Sequence, residues 1–246
     1  MDRMIWTAMS GMTDSTTRQR VIANNMANAQ TIGFRAETIY STPVTLKGAP
    51  IEARALIDGE VHGANMSPGA IMPTGRALDI AVTGDALLAV QTDDGGEAYT
   101  RRGDLSVSPS GVLQNGDERP VLGNSGPISV PLGSAITIAP DGSVLAASPD
   151  APGQPPQLID RIKLASPAGS KIEKALDGLF RVIGGGVLPT ADDARVQPAS
   201  LEQSNVVTSD VMVEMISAQR LFDIRTKMIA TAREVDESGA ALMKLS

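Results

Sequence analysis

Residues 22–35 read IANNMANAQTIGFR, and this stretch marks the place where a long N-terminal helix has to end. Asn24, Asn25 and Asn28 crowd together in it, although asparagine is a poor helix former because its side chain competes for backbone hydrogen bonds. Gly33 follows where a helix C-terminus favours a residue that tolerates positive φ. The stretch predicts a helix that passes into extended chain, with asparagine amides that satisfy freed carbonyls or bridge to an adjacent helix.

Upstream of this stretch, the sequence keeps the alternating three- and four-residue spacing of a coiled-coil seam. No proline interrupts the run, and Gly11 is its only helix-weakening residue before the asparagines. We therefore predict an N-terminal helical region over residues 1–33, in which the helix from about Ile5 to Ala29 is roughly 40 Å long at ~1.5 Å per residue. The seam positions are Ile5, Ala8, Met12, Ser15, Gln19, Ile22, Met26 and Ala29.

The C-terminal region, residues 199–246, repeats the design. Candidate helix N-caps come first, and a seam of the same spacing follows. Arg225 on that seam would be costly if buried alone, so it predicts either an ion pair within the seam or a boundary between subunits. The candidate caps are Ser204, Asn205, Thr208, Ser209 and Asp210, and the seam reads Val211, Met215, Ala218, Phe222, Arg225, Ile229 and Ala232.

Glycine and proline punctuate the chain between the two helices. Residues 34–75 have no clear period and predict an extended linker with a few strands. Residues 76–198 predict a β-rich domain, because short apolar runs alternate with turn signals such as DDGG, SPSG and NGDE. The apolar runs are LDIAV, ALLAVQT, GVLQN, ISVP, SAITIAP and GSVLAA.

The expected fold class is α+β, with an antiparallel β-rich central domain carried on paired N- and C-terminal coiled-coil helices. Neither helix can bury its apolar stripe against its own neighbours in sequence. The two helices must therefore pair with each other or with helices of other copies of the chain.

Composition excludes several function classes. A net charge of −7 argues against binding nucleic acid or inserting into an anionic membrane. No apolar run approaches the ~20 residues of a membrane span, and the first thirty residues lack the apolar segment of a cleaved signal peptide. Because the chain has no cysteine, disulfides, thiol catalysis and thiolate metal sites are excluded.

Candidate catalytic residues are few. The single histidine, His62, lies in an apparently irregular stretch, so we expect a solvated side chain rather than a triad or zinc ligand. Acidic pairs at 93–94, 117–118 and 192–193 could serve glycoside hydrolysis, but the first two fall in turn-like clusters where aspartate caps turns. We expect no catalytic, cofactor-binding or metal site; the alternative is a secreted glycan-acting enzyme that uses these carboxylates.

Two stretches and the region between them resemble one known family. The first stretch fits the form ANNxANxxTxGF[KR], and LEQSNVVTSDVMVEMISAQRLFDIRTKMIATA resembles a second signature of the same family. The middle, from LDIAVTGDALLAV to PISVP, resembles its β domain, except that ALLAV at 86–90 replaces a common aromatic pair. The family is that of the bacterial flagellar rod and hook proteins, and the resemblance covers essentially the whole chain.

The resemblance implies a structural protein. Such subunits leave the cell through the flagellar export apparatus without a cleaved signal and polymerise helically into the rod, the periplasmic shaft that transmits torque. Their terminal helices form the inner tube and the β domain lies outside. The stretches MDRMIWTAM, PGAIMPTGRALDIAV and DGLFRVIGGG resemble the proximal-rod branch of the family, with the distal-rod branch as the alternative.

The implied partners are other copies of the chain, neighbouring proximal and distal rod subunits and the export apparatus, with no cofactor. Long helices without partners also predict chain ends that are disordered in the free monomer. The residues expected to carry subunit assembly are Ile5, Met12, Ile22, Asn24, Asn25, Met26, Asn28, Gly33, Phe34, Ser204, Asn205, Met215, Gln219, Phe222 and Ile229.

Overall fold

The computed structural model describes residues 2–45, 55–148 and 154–244. A long helix lies at each end of this range, and short strands occupy the sequence between them. In chain order, the described elements are α1 (Asp2–Ala27), β1 (Glu37–Thr45), β2 (Ala55–Ala64), β3 (Ile71–Pro73), β4 (Ile80–Val82), β5 (Leu87–Gln91), β6 (Glu97–Thr100), β7 (Ser106–Val107), β8 (Leu113–Gln114), β9 (Leu122–Gly123), β10 (Gly126–Pro127), β11 (Ala135–Ile138), β12 (Ser143–Ala147), β13 (Gln157–Arg161), β14 (Leu164–Ala165), β15 (Ile172–Lys174), β16 (Phe180–Val182), β17 (Val196–Pro198), β18 (Ser200–Glu202) and α2 (Thr208–Lys244).

The chain divides into two units. The helical unit contains Met1–Ala27, Glu37–Gly63 and Val207–Ser246, so it holds α1, α2 and nearly all of the two-stranded sheet of β1 and β2. The β unit contains Asn28–Ala36 and Ala64–Val206. Each unit is therefore assembled from segments that are distant in sequence.

The β unit is built from small antiparallel sheets. The largest has five strands in the order β14-β5-β6-β16-β15, and a second has the order β11-β12-β13. Shorter pairs link β4 to β17 and β3 to β18, which brings sequence from near residue 72 beside sequence from near residue 201.

Strand β5 shows how this unit forms a core with little aromatic side chain. Leu88 and Val90 pack into one apolar cluster, while Leu87 and Ala89 pack into another on the opposite face. Successive side chains of a strand point to opposite faces, so a continuous aliphatic run can be buried on both sides. Aliphatic residues therefore fill the core on both faces of this strand.

The structure confirms two terminal helices with an antiparallel β-rich region between them. Five of the six quoted apolar runs contain a strand, whereas ISVP at 128–131 forms only an isolated bridge from Ser129 to Val112. His62 belongs to β2 rather than to irregular chain, and its side chain is outside the described part. Neither described helix is long and apolar enough to cross a lipid bilayer.

The first helix ends two residues before the last predicted seam position, Ala29, and the second begins among the predicted cap positions. The first ends at Ala27 because the chain turns at once, where the Thr31 amide donates to the Asn28 carbonyl at 3.1 Å. The second begins at Thr208, since residues 200–202 are used as the partner strand of β3.

Candidate assembly surfaces

One side of α2 is less exposed than the rest of the helix. We call these residues the inner face; they recur with the three- and four-residue spacing of an apolar stripe, and α2 contacts α1 within the helical unit. Two predicted positions fall outside it: Met215 is 38% exposed, and Gln219 is exposed as well. The inner face consists of Val211, Ala218, Phe222, Arg225, Ile229 and Ala232.

Arg225 lies on the inner face and is paired across it. Its Nη1 lies 3.2 Å from Oδ2 of Asp14 and donates hydrogen bonds to the Ser15 hydroxyl and the Gly11 carbonyl. Asp14 and Ser15 are buried, so the pair lies between the helices rather than in open solvent. This confirms the ion pair that the position of Arg225 predicts.

The α1 residues predicted for assembly divide by burial. Ile22 is buried, whereas Met12 and Met26 are half-buried. Ile5 belongs to α1, but its side chain lies outside the described part of the chain.

A groove runs between α1, the start of β1 and α2. Its volume is about 540 Å³, and it is walled by Ile22 and Arg18 on one side and by Val213 and Leu221 on the other. Because it mixes apolar and charged side chains, the groove has the character of a packing surface rather than of a closed ligand cavity.

A second apolar surface of α2 lies away from the inner face and was not predicted from the sequence. On a wheel of 100° per residue, these side chains fall within one sector, whose centre lies about 120° from the centre of the inner face. Five of the six are more than half exposed. We call this set the outer face; it consists of Val213, Ile216, Leu221, Ile224, Met228 and Val235.

The asparagines at the end of α1 join the helix to the strand that follows. Asn25 is buried, its Nδ2 donates to the Glu37 carbonyl at 3.0 Å, and its Oδ1 accepts from the Glu37 amide at 2.8 Å. Asn24 donates to the Glu37 carboxylate at 2.6 Å. Asparagine is suited to this joint because one amide can donate and accept at the same peptide group.

The turn between the helical stretch and Arg35 is held by Asn28, Gly33 and Phe34. Asn28 accepts from the Thr31 hydroxyl at 3.1 Å. Gly33 has a φ of 67°, and a Cβ at this position would overlap the Arg101 carbonyl, so two requirements select glycine here. The buried ring of Phe34 lies 3.5 Å below Nζ of Lys174, a cation–π contact.

Glu202, at the end of β18, forms a buried cluster with two arginines. Its Oε1 lies 2.8 Å from Nη2 of Arg35, and its Oε2 lies 2.7 Å from Nη2 of Arg101. All three side chains are at most 2% exposed. Burial lowers the pKa of Arg35, and the nearby Glu202 carboxylate opposes that shift.

Asn205 fastens the same region from the C-terminal side. Its Oδ1 accepts from the Ala36 amide at 2.7 Å, and its Nδ2 donates to the carbonyls of Asn65 at 2.8 Å and Ser67 at 2.9 Å. Ser204 accepts from the Val206 amide at 3.2 Å. The two stretches that carry the family resemblance therefore meet in the β unit, over residues 31–36 and 202–206.

Sequence reasoning missed the role of Arg101 and the meeting of Arg35 with Glu202. The available signal was that Arg35 and Glu202 each stand as the charged residue in a stretch of otherwise uncharged residues. Their separation of more than 160 positions hides the contact from any local pattern.

The acidic pairs serve turns and surface ion pairs. Thr92 donates to Asp94, and this hydrogen bond, with those from the backbone, lowers the pKa of Asp94. Asp117 lies 2.5 Å from Arg102, and Asp93 lies 3.5 Å from Arg119. Within the described residues, no group of three or more acidic or histidine side chains is arranged to hold a metal ion.

Three family models match the chain. "Flagella basal body rod protein" matches residues 5–35, "Flagellar hook protein FlgE/F/G D1 domain" matches 81–146, and "Flagellar basal body rod FlgEFG protein C-terminal" matches 197–242. The first and third models contain the two stretches that meet around Glu202.

Full-length relatives agree with these matches. The flagellar basal-body rod protein FlgF of Escherichia coli strain K12 is 39% identical, covering 100% of this chain and 99% of the relative. The FlgF protein of Salmonella typhimurium is 37% identical with 100% of both chains covered. The rod protein FlgG of Bacillus subtilis is 31% identical, over 96% of this chain and 97% of the relative.

The helical surfaces and these matches together define a structural protein of the flagellar rod, and no catalytic family is indicated. The chain belongs to the flagellar basal-body rod protein family. Along its whole length it is similar to the rod protein FlgF.

Proposed function

We propose that this chain is a subunit of the proximal rod and polymerises helically, through its terminal helices, into the axial shaft that transmits torque. Its similarity to FlgF proteins, at 39% and 37% identity, exceeds its similarity to the FlgG protein of Bacillus subtilis, at 31%. That difference supports the proximal position over the distal one, which is the alternative within the same family.

The outer face of α2 is the observation that carries the proposal. The inner face of the same helix is already used against α1, whereas most of the outer face, apart from Val213 and Leu221 at the groove, is exposed in a single chain. Burying an aliphatic side chain stabilises by about 1.5–3 kcal/mol when burial is complete, and these side chains still expose much of their area. A helix that is apolar on two sides fits a position inside an assembly.

We further propose that the predicted assembly residues act in two ways. Met215 and Gln219 are exposed and can meet neighbouring subunits, together with the outer face. Asn25, Gly33, Phe34 and Asn205 act indirectly, since the contacts of each residue hold the chain within its own unit next to a helix end.

The export route, the location and the partners of the chain follow from the same proposal. The chain reaches the basal body through the flagellar export apparatus without a cleaved signal and takes its place in the periplasmic rod. Its partners are other copies of itself and the neighbouring proximal and distal rod subunits. Each helix pair packs as a coiled coil, within the chain and between subunits.

Electron microscopy of cell envelopes from a clean deletion strain tests the function. We expect loss of hooks and filaments, restored by the intact gene and not by Ile224→Glu on the outer face. Thr226→Glu is the matched control, because it places the same charge on an exposed position of α2 outside both faces. Normal flagella in the deletion strain, or full rescue by Ile224→Glu, would contradict the proposal.

A further inference from the structure

Among the described side chains of α1 and α2, half-buried Arg225 and buried Asp14 form a charged pair in the contact between the helices. Arg225 stands on the inner face among small and apolar residues, and it reaches Asp14 at 3.2 Å. Asp14 is 4% exposed and Ser15 is 1% exposed, so this side of α1 is closed to water. A polar group at a single seam position costs stability compared with an apolar one, and its best-attested use is to set register.

The backbone of α1 is shaped to receive Arg225. Gly11 lies under its guanidinium group, and a Cβ at this position would lie 3.4 Å from Nε of Arg225. The Gly11 carbonyl and the Ser15 hydroxyl accept hydrogen bonds from Nη1 of Arg225. A glycine, an acid and a serine spaced over one turn of α1 therefore form one acceptor site.

The rest of the inner face cannot define the alignment of the two helices. One heptad before Arg225 stands Ala218, and one heptad after it stands Ala232. If α2 slid by seven residues in either direction, an alanine would face Asp14, and the ion pair of Asp14 with Arg225 would be lost. Apolar contacts repeat with the same period, so they would be largely kept after such a slide.

The helices run antiparallel. Arg225 meets residues 11–15, while Ala218, earlier in α2, lines the same groove as Val21 and Ile22, later in α1. We propose that Arg225, bound by Asp14, Ser15 and Gly11, is a register pin that fixes the alignment of α2 on α1 of its own chain and rejects pairings shifted by a heptad. The pin concerns a single chain, so it stands independently of whether the chain polymerises.

Two-site spin labelling tests the pin, because the chain has no cysteine of its own. Thr16 and Thr226 are exposed positions on α1 and α2, and nitroxides on cysteines at both sites report the helix alignment by pulsed electron resonance. Labelled chains are diluted with unlabelled chains so that only distances within one chain remain. In the otherwise natural chain we expect one narrow distance.

Arg225→Met keeps much of the side-chain stem and removes the charge. We expect it to give two or more distances, because a slide by one heptad moves α2 about 10 Å along α1 and changes the distance between the two labels. The control is Arg233→Met, since Arg233 is 80% exposed and pairs with Glu237 on its own helix; it should keep the single distance. A single unchanged distance in Arg225→Met would overturn the pin, and so would a broad distribution in the natural chain.

If Arg225→Met loses helicity, the same distance is measured in Arg225→Lys, which retains the charge. A single distance in that variant supports the pin, and several distances overturn it. These readouts come from the free chain, so a failure of the pin is distinguishable from a failure of rod assembly in cells.

Discussion

Glu202 accepts from two guanidinium groups and a backbone amide at a place from which water is excluded. Its Oε1 accepts from the Gly69 amide at 2.8 Å, and Arg101 also donates to the carbonyls of Val82 and Gly84 at 2.9 and 2.8 Å. A buried ion cluster contributes little net stability as a whole, but removing its only carboxylate leaves two buried cations uncompensated. Its effect is therefore asymmetric, and it ties residues 35, 101 and 202 to one arrangement.

Replacing Glu202 by glutamine should destabilise the β unit by about 3–5 kcal/mol, because size is kept while the charge is lost. Urea unfolding of the full chain, followed by near-ultraviolet circular dichroism of the buried Tyr99, measures this change. Glu173→Gln removes a carboxylate from an exposed position of β15 and should leave the transition within 0.5 kcal/mol, the usual range for surface changes. A loss below about 1 kcal/mol for Glu202→Gln would show that the cluster tolerates its missing charge.

Asp177 gives the β unit a pH dependence. Arg181 donates to it at 2.9 and 2.6 Å, and this hydrogen bonding is the main reason that its pKa lies below the ordinary 3.8. A folded-state pKa that is depressed stabilises at pH values above the ordinary pKa, and this stability is lost as the pH falls through the folded value.

We expect Asp177→Asn to cost about 0.5–1 kcal/mol at pH 7, since the pair is partly exposed, and to cost nothing once both chains are fully protonated in acid. Urea unfolding at a series of pH values from 7 down to 2 measures the difference. Asp93→Asn is the control, because the Asp93 side chain is 95% exposed. A difference between Asp177→Asn and the natural chain that stays constant with pH would rule out the charged pair as its cause.

At the scale of elements, the Asn25 side chain joins the end of α1 to the start of β1, because it bonds the Glu37 backbone in place of another backbone group. Because the Glu37 amide donates to Asn25 Oδ1, Asn25→Ala should expose that amide to exchange and cost about 1–3 kcal/mol of local stability. The described hydrogen bond between Asn24 and Glu37 runs from the Asn24 amide to the Glu37 carboxylate. Asn24→Ala should therefore leave the Glu37 backbone amide protected. Hydrogen exchange read by NMR at Glu37 separates the two; equal protection in both variants would contradict the joint.

The elements that could be predicted are those with a local period. The seam of α2 places Ala218, Phe222, Arg225 and Ile229 on one face, and the structure has them there. The asparagines and the cap candidates around Thr208 predict roughly where α1 ends and α2 begins. The exact limits could not be predicted, because contacts such as the pairing of Leu201 with Met72 join residues far apart in sequence. The outer face was missed for another reason: a seam analysis looks for one apolar stripe, and α2 has two.

The same distinction applies to the asparagines. Their clustering indicates that the helix ends and that amides are needed, which the bonds of Asn25 to Glu37 match. The sequence could not say which group they would bind, because that depends on how β1 returns along the helix. Whether Asn24 and Asn28 also touch neighbouring subunits stays a prediction, and their replacement by alanine in the rod would test it.

At the scale of the whole molecule, one set of contacts holds a single subunit together, and a different surface is proposed to join subunits. The buried Glu202 cluster and the Asn205 bonds hold the β unit, whereas α2 uses its inner face for α1 and leaves its outer face exposed. The two faces should consequently respond differently to charge.

Phe222→Glu places a carboxylate on the half-buried inner face and should cost about 2 kcal/mol or more, enough to separate α1 from α2 in the free chain. Ile224→Glu places the same charge on the outer face, where 56% of the side chain is already exposed, and should leave the helicity of the free chain unchanged. Both should abolish rods, the first because the helix pair is lost and the second because its outer contact is lost.

Met26→Glu, at a half-buried position of α1, should behave like Phe222→Glu. Far-ultraviolet circular dichroism of the free chains and electron microscopy of basal bodies give the two readouts. If Ile224→Glu reduced helicity as much as Phe222→Glu, the outer face would be needed within a single chain, and the division of labour between the two faces of α2 would be wrong.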